Sequence, residues 1–267
     1  MASTGNFSDA DAYELQMGRW SRGLASTFLD FSGPLSGSQL LDVGCGTGSL
    51  TYAWAKRDLN ARITGVDLTP AFIERARSTG RDPRLTFQVG DATELPFPDA
   101  TFDHSLSLLC LHFASPAEQA IRVMRRVTKP GGTVAAAVWD ARGGFVSMRM
   151  FFDTAAMLDP KANEARARHF LRPMCRPGEL ERAWRAAGFQ NVVSSTVGTR
   201  MEFKDFADYW APFLGKQAGP AAYVATLSQP DVDRLREAVR LAYLDGEPDG
   251  ARSYAAIAWA VKGTVPG

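Results

Sequence analysis

A glycine-rich turn after a short apolar run constrains this chain more than any other feature of its sequence. The segment LLDVGCGTGSLT (residues 40–51) places Gly44, Gly46 and Gly48 at alternate positions between a predicted strand and a predicted helix. Glycine has no Cβ atom, so the backbone can adopt a positive φ there or approach a ligand closely. The N-terminus of the following helix offers free N–H groups. The segment therefore predicts a ligand site at the end of a strand.

Short apolar runs alternate with amphipathic stretches along the rest of the chain. Runs bounded by Gly, Pro or Asp predict buried strands at 39–44, 62–67, 85–91, 102–109, 132–140, 191–198 and 254–263. Apolar residues at three- and four-residue spacing predict helices at about 48–58, 70–79 and 115–128, and helical segments at 143–170, 177–187 and 203–244. Repeated β–α–β units predict an α/β fold with a parallel, doubly wound sheet.

The glycine spacing and a nearby carboxylate indicate the kind of ligand. A dinucleotide-binding turn has the pattern G-x-G-x-x-G, whereas this chain has Ser49 at the sixth position and the pattern G-x-G-x-G. Asp42 lies two residues before the first glycine. A carboxylate there suits the ammonium group of a ligand better than a phosphate.

This combination resembles the first motif of the class I S-adenosylmethionine-dependent methyltransferases. The resemblance continues in chain order with Asp67 at the end of the second predicted strand, Gly90-Asp91-Ala92 after the third, LPFPDATFD (95–103) before the fourth and KPGG (129–132) before the fifth. The chain is most similar to the broad bacterial group that includes ubiquinone and menaquinone C-methyltransferases and many small-molecule methyltransferases. YELQMGRWSR (13–22) looks like the N-terminal helix that many of these enzymes fold over the cofactor.

The resemblance implies a site for S-adenosyl-L-methionine. It implies that Asp67 holds both ribose hydroxyls, that adenine packs on Leu68, and that Asp91 accepts a hydrogen bond from the adenine amine. Further members of the implied cofactor site are Asp42, Gly44, Cys45, Gly46, Gly48, Ala92, Leu109, Tyr13 and Trp20.

The resemblance also implies the architecture. We expect a Rossmann-like sheet of seven strands, mostly parallel, with the last strand antiparallel beside the sixth, plus helical capping insertions. The expected organisation is a single domain over residues 1–267, with an N-terminal helical lid (1–36), a cofactor-binding core (37–142) and helical cap insertions (143–175 and 202–245).

Two residues are candidates for catalysis because each follows a central strand at the carboxyl edge, where open α/β sheets bind ligands. His112 follows the fourth strand and is a candidate general base; the alternative is a partly buried histidine packed among Leu111 and Phe113. Asp140 ends the fifth strand, and its alternative is a loop cap. His104 and His169 receive no catalytic assignment. Met and aromatic residues of the capping segments either line an acceptor pocket or form ordinary core.

Composition and missing motifs exclude several other classes. The three cysteines form no C-x-x-C pair, which disfavours a disulfide framework or a zinc site and favours the cytoplasm. The formal net charge of +1 and the absence of an N-P-P-[YFW] motif disfavour a nucleic-acid partner. We find no signal-peptide pattern, no membrane-length apolar run and no carboxylate cluster for a metal.

These observations predict an enzyme that moves a methyl group from S-adenosyl-L-methionine to a small-molecule acceptor by in-line displacement, without a metal. Two alternatives stay open: a nicotinamide-dependent Rossmann oxidoreductase, and a non-catalytic cofactor-binding regulatory module. The sequence leaves open the acceptor, the acceptor atom and the oligomeric state, because acceptor preference lies in the capping segments.

Overall fold

A computed structural model describes residues 10–35, 37, 39–215 and 219–267. In this part of the chain, seven strands form one sheet in the order β3-β2-β1-β4-β5-β7-β6. The strands are β1 (Gln39–Val43), β2 (Arg62–Asp67), β3 (Leu85–Val89), β4 (His104–Leu108), β5 (Thr133–Trp139), β6 (Gln190–Phe203) and β7 (Arg252–Thr264). The sheet confirms the predicted Rossmann-like α/β fold.

Helices surround this sheet. They are α1 (Ala10–Tyr13), a π-helical turn (Glu14–Gly18), α2 (Arg19–Ser32), α3 (Ser49–Arg57), α4 (Pro70–Thr79), α5 (Ala117–Val127), α6 (Val146–Leu158), α7 (Ala162–Phe170), α8 (Glu179–Ala186), α9 (Phe206–Trp210), a 3-10 turn (Ala211–Leu214), α10 (Pro220–Val224) and α11 (Gln229–Leu244). No helix within the described ranges is long and apolar enough to cross a membrane.

Strand direction follows the pattern implied by the resemblance. Strands β1 to β5 pair in parallel, whereas β7 runs antiparallel to both β5 and β6. The central strands β1, β4 and β5 are almost wholly buried, as expected for parallel strands covered on both faces. Strand β1 lies between β2 and β4, so the order of the strands reverses there. At such a switch point, the carboxyl ends of the strands open a crevice.

Two core layers lie on opposite faces of the sheet because strand side chains alternate in direction. Leu40 of β1 packs into the layer formed with α2, α6 and α11, and the next residue, Leu41, packs into the layer formed with α5 and α8. Helix α5 is strongly amphipathic: its apolar face is buried against the sheet and its arginines lie on the other face.

Two elements differ from the sequence prediction. The helical segment expected over 143–170 is two helices, because α6 ends before Asp159 and Pro160 and α7 begins at Ala162. Strand β6 is longer than the predicted 191–198, because it pairs with β7 as far as Phe203, across a register shift near its start. The predicted lid over residues 1–36 lies partly outside the described residues, which omit 1–9 and 36; the division into lid, core and caps stays a prediction.

Trp184 fixes helix α8 to the sheet. Its ring is fully buried and stacks on Phe189, and its Nε1–H donates to the carbonyl oxygen of Val134 at 3.1 Å. We therefore expect Trp184→Ala to lower the free energy of unfolding by about 3–5 kcal/mol, because it leaves a large cavity and an unpaired carbonyl. Urea denaturation measures this loss.

The matched control is Leu59→Ala, because the Leu59 side chain is 72% exposed. Its free energy of unfolding should stay within about 0.5 kcal/mol of the unsubstituted chain. A loss below about 1 kcal/mol for Trp184→Ala would contradict the anchoring role of this side chain.

Candidate functional site

The turn after β1 has the backbone conformation that its three glycines allow. Gly44, Gly46 and Gly48 have φ values of 73°, 55° and 93°, which favour glycine. A Cβ atom at Gly44 would overlap the side chain of Cys110. The N–H groups of Gly44 and Cys45 donate to the carbonyl oxygen of Val66 at 2.7 and 3.0 Å, which ties the turn to the end of β2.

Asp67, the last residue of β2, holds the next part of the turn. Its Oδ2 accepts from the N–H of Gly46 and its Oδ1 accepts from the N–H of Thr69, both at 2.9 Å. Burial raises the pKa of the Asp67 carboxyl. Each carboxylate oxygen has a second lone pair, so Asp67 keeps the capacity to accept hydrogen bonds from a ligand.

A cavity of about 230 Å³ lies at the carboxyl edge of the sheet, beside the glycine turn. Nine residues that the sequence analysis named as site candidates line it. Eight of them lie at the end beside the glycine turn, which we call the near end: Tyr13, Gly44, Gly46, Asp67, Leu68, Asp91, Ala92 and Leu109. The ninth, His112, lies where the near end meets the opposite, far end. Three acidic or glycine-rich segments from β1, β2 and β3 thus meet at one crevice.

The near end is open enough to admit a ligand from solvent. Leu68 is 54% exposed and Asp91 is exposed, and both line the cavity. Asp91 Oδ1 accepts from both the N–H and the hydroxyl of Thr93 at 2.7 Å, which fixes the orientation of its carboxylate. The geometry suits a ligand that has hydrogen-bond donors and a flat apolar group.

The N-terminal segment lies over the glycine turn. A Cβ atom at Gly46 would be 3.5 Å from the Tyr13 hydroxyl, and the Tyr13 ring packs on Phe72 with their centroids 4.7 Å apart. Burial raises the pKa of Tyr13 to about 12. Glu14 accepts a hydrogen bond from the hydroxyl of Thr47, which belongs to the turn itself. These contacts hold the N-terminal segment against the glycine turn.

Several predicted site residues do not line this cavity. Trp20 packs edge-on against Phe203, with ring centroids 5.3 Å apart, so it belongs to the core. Asp140 accepts from the N–H of Gly143 at 3.0 Å and therefore caps its loop, which was the alternative for this residue. Cys45 is buried, and burial raises the pKa of its thiol, so it is not an activated nucleophile. Gly48 is the N-cap of helix α3 and is not among the residues that line the cavity.

Asp42 lies behind the glycine turn and not on the cavity surface. Its side chain is fully buried, its Oδ2 accepts from the Thr51 hydroxyl at 2.6 Å, and its Oδ1 has no partner among the described residues. Burial raises the pKa of the Asp42 carboxyl to about 7. This buried carboxyl with one unpaired oxygen, two residues before Gly44 in the chain, fits a ligand that carries positive charge at the glycine turn.

The far end of the cavity contains polar residues that the sequence analysis missed. His112 is joined there by His169, Arg172 and Cys175, beside the apolar side chains of Trp139, Phe145 and Met148. Burial lowers the pKa of His169 to about 3 and holds that of His112 well below its usual range, and the charge of Arg172 lowers both further. Both imidazoles are therefore neutral at neutral pH.

No local motif marks the missed residues. Residues 169–175 (HFLRPMC) begin at the end of the helical segment predicted over 143–170. Only tertiary packing brings His169, Arg172 and Cys175 to the carboxyl edge. The one usable signal was a histidine and an arginine within an otherwise apolar stretch. Across residues 10–35, 37, 39–215 and 219–267, no group of three or more His, Cys, Asp or Glu side chains is arranged to hold a metal ion.

The raised pKa of Asp42 predicts a pH dependence of stability. In the unfolded chain the carboxyl titrates near pH 4, whereas in the folded chain it keeps its proton up to about pH 7. Between these values the folded state binds more protons, so the free energy of unfolding falls as pH rises. We expect Asp42→Asn to remove this fall, which is on the order of 2–4 kcal/mol.

Urea denaturation at intervals from pH 4.5 to pH 8 measures this effect. The stability of Asp42→Asn relative to the unsubstituted chain should increase over that range. Asp99→Asn is the control, since the Asp99 side chain is 77% exposed, and its profile should follow that of the unsubstituted chain. Parallel profiles for Asp42→Asn and the unsubstituted chain would rule out the proton held at Asp42.

Comparisons with known proteins agree with this geometry. The family model described as "Methyltransferase domain" matches residues 41–136. Erythromycin 3''-O-methyltransferase of Saccharopolyspora erythraea is 39% identical over 117 residues, which cover 42% of this chain and 38% of the relative. Malonyl-(acyl-carrier protein) O-methyltransferase of Serratia marcescens is 33% identical over 132 residues, which cover 49% and 48%. The matches thus span less than half the length of these curated relatives.

A solved structure extends the likeness to most of the fold. Phosphoethanolamine N-methyltransferase 2 of Haemonchus contortus, in complex with phosphomonomethylethanolamine and S-adenosylhomocysteine, superposes with a TM-score of 0.60. The superposition covers 97% of this chain and 57% of that one at 20% identity, so it shows the shared fold alone. Together with the family match over residues 41–136 and the motif order, it confirms the resemblance of this chain to the class I S-adenosylmethionine-dependent methyltransferases.

Proposed function

We propose that this chain transfers a methyl group from S-adenosyl-L-methionine to a small-molecule acceptor. One observation carries the proposal: a single cavity joins a glycine turn and two carboxylates at one end to an apolar pocket with two neutral histidines at the other. The first end suits an adenosyl amino acid, and the second suits an organic acceptor. Methyl transfer needs both molecules in one enclosure.

The residues at the near end fit the cofactor. Asp67 would accept from the ribose hydroxyls, and Asp91 from the adenine amine, while Leu68 would pack on the adenine ring. The bare backbone of Gly44 and Gly46 would face the amino-acid part of the cofactor. Asp42 would stabilise the ammonium group across the glycine turn, without direct contact, because its carboxyl lies behind that turn.

When bound, the cofactor supplies an electrophilic methyl group on a positively charged sulfur. The chain contributes mainly by positioning the acceptor in line with that methyl group, an effect worth up to roughly 7–11 kcal/mol in favourable cases. The apolar walls formed by Trp139, Phe145 and Met148 exclude water from the reacting groups. No cavity residue needs to form a covalent bond to the acceptor.

His112 would serve as the general base for an acceptor that must lose a proton. Its imidazole is neutral at neutral pH because burial lowers its pKa, so it can accept a proton. A positioned base contributes about 10²–10⁴-fold to the rate. The names of the two curated relatives record methylation at oxygen, and an acceptor hydroxyl is a group that needs such a base.

Calorimetric titration with S-adenosylhomocysteine tests the proposed cofactor directly. We expect saturable one-to-one binding in the micromolar range, and no change in NADH fluorescence when NADH is mixed with the protein. No heat of binding at millimolar S-adenosylhomocysteine, or a bound NADH signal, would reject the methyltransferase and favour the oxidoreductase alternative.

Two substitutions separate the proposed roles. Asp67→Ala should weaken S-adenosylhomocysteine binding about 10- to 100-fold, because charge-assisted hydrogen bonds to the ribose contribute about 1.5–3 kcal/mol. His112→Ala should leave that binding within twofold, because His112 lies toward the acceptor end. Circular dichroism checks that both variants fold. Equal losses in the two variants would contradict the division of the cavity into a cofactor end and an acceptor end.

A further inference from the structure

Arg172 is a cation at the acceptor end of the cavity that has no ion-pair partner among the described residues. Its guanidinium lies 4.3 Å from the centroid of the Phe113 ring, and both side chains line the cavity. No carboxylate of the described ranges forms an ion pair with Arg172, although fifteen other ion pairs occur among those residues.

The other polar groups around Arg172 cannot neutralise it. His112 and His169 are neutral, and each has a ring nitrogen that is buried without a hydrogen-bond partner. Burial raises the pKa of the Cys175 thiol to about 12, so it carries no charge. Arginine stays protonated in proteins. Within the described residues, Arg172 is therefore a half-buried cation at the acceptor end of the cavity, and the two histidines and the thiol that line this end with it carry no charge.

The proposed cofactor makes the need for an anion stronger. The cavity carboxylates Asp67 and Asp91 lie at the near end, where they are fixed by the glycine turn and by Thr93. The sulfonium of the cofactor would add a second positive charge between the two ends. Two cations in a water-poor cavity attract an anionic molecule and disfavour a neutral or cationic one.

We propose that the methyl acceptor is an organic acid: its carboxylate pairs with the guanidinium of Arg172, and its apolar body packs against Trp139, Phe145 and Met148. The proposal rests on the methyltransferase function above and names the substrate class of the same site. A carboxylate matches the planar fork of guanidinium donors, and a bidentate pair fixes the orientation of the acceptor. Arg172 is a specificity-determining residue here, and the methylated atom lies elsewhere on the acceptor or on this carboxylate.

Matched acid and amide probes test the charge preference without knowledge of the natural acceptor. The probes are 3-phenylpropionate with 3-phenylpropanamide, and benzoate with benzamide, titrated calorimetrically into the protein saturated with S-adenosylhomocysteine. We expect each acid to bind at least tenfold more tightly than its amide. In Arg172→Gln the acid should bind no more tightly than the amide, whereas Arg176→Gln, at an exposed neighbour that pairs with Glu179, should keep the full preference.

A second measurement separates recognition from a structural role. Because Arg172 has no ion-pair partner to lose, Arg172→Met in the ligand-free protein should melt at a temperature no lower than the unsubstituted chain. A clearly lower melting temperature would assign Arg172 to the fold and overturn the proposal. Equal binding of acids and amides, absence of acid binding at 10 mM, or an acid preference that survives Arg172→Gln would also overturn it.

The outcomes distinguish this proposal from the function on which it rests. Binding of S-adenosylhomocysteine without an acid preference would retain the methyltransferase and reject the acidic acceptor. Failure to bind S-adenosylhomocysteine would reject the methyltransferase. If the protein does not bind S-adenosylhomocysteine but still prefers acids in a way that depends on Arg172, the anion site is established without the methyltransferase function. If it shows neither, both the methyltransferase function and the acidic acceptor are rejected.

Discussion

The hydrogen bond from the N–H of Gly46 to the Asp67 carboxylate joins the two loops on which the candidate site depends. It connects the turn after β1 to the end of β2, next to the bonds from Gly44 and Cys45 to Val66. These hydrogen bonds hold the turn in a conformation in which Gly44 and Gly46 line the cavity. The positive φ of Gly44 and Gly46 makes the geometry possible, because residues with side chains rarely adopt it.

The charge distribution along the cavity follows from which elements supply each end. The parallel strands deliver carboxylates at their carboxyl ends, so the near end is acidic. The far end is formed by the last turn of α7 and the segment after it, which bring His169 and Arg172 next to His112. Burial keeps both imidazoles uncharged, and the guanidinium cannot lose its proton. One end of the enclosure thus favours a cationic, hydrogen-bonding ligand and the other favours an anionic one.

The sheet and the glycine turn could be predicted from sequence because each depends on local patterns. Buried parallel strands are short apolar runs, and Pro70 at the start of α4 marks a helix beginning. The division of 143–170 into two helices was missed, although Asp159 and Pro160 lie at the break. The last part of β6 was missed, although its buried Met201 and Phe203 alternate with exposed Arg200 and Glu202 as in a strand with one buried face. Pairing with β7 continues to Phe203.

The acceptor end could not be predicted in the same way. Asp140 satisfied the rule that ligands bind at the carboxyl ends of strands, yet its carboxylate is used by the N–H of Gly143. His169 has no catalytic assignment from the sequence, yet it lines the cavity, with its ring centroid 5.0 Å from that of Phe152. Which side chains of a cap face inward depends on how its helices pack, and that packing involves residues far apart in the chain.

A crystal structure of the complex with S-adenosylhomocysteine tests the central claim most directly. We expect the ribose hydroxyls to lie within about 2.6–3.2 Å of the Asp67 carboxylate. The homocysteine part should lie along the backbone of Gly44 and Gly46, with its sulfur directed toward the pocket that contains His112 and Arg172. A ligand seated elsewhere on the chain, or bound in this cavity with its ribose away from Asp67, would contradict it.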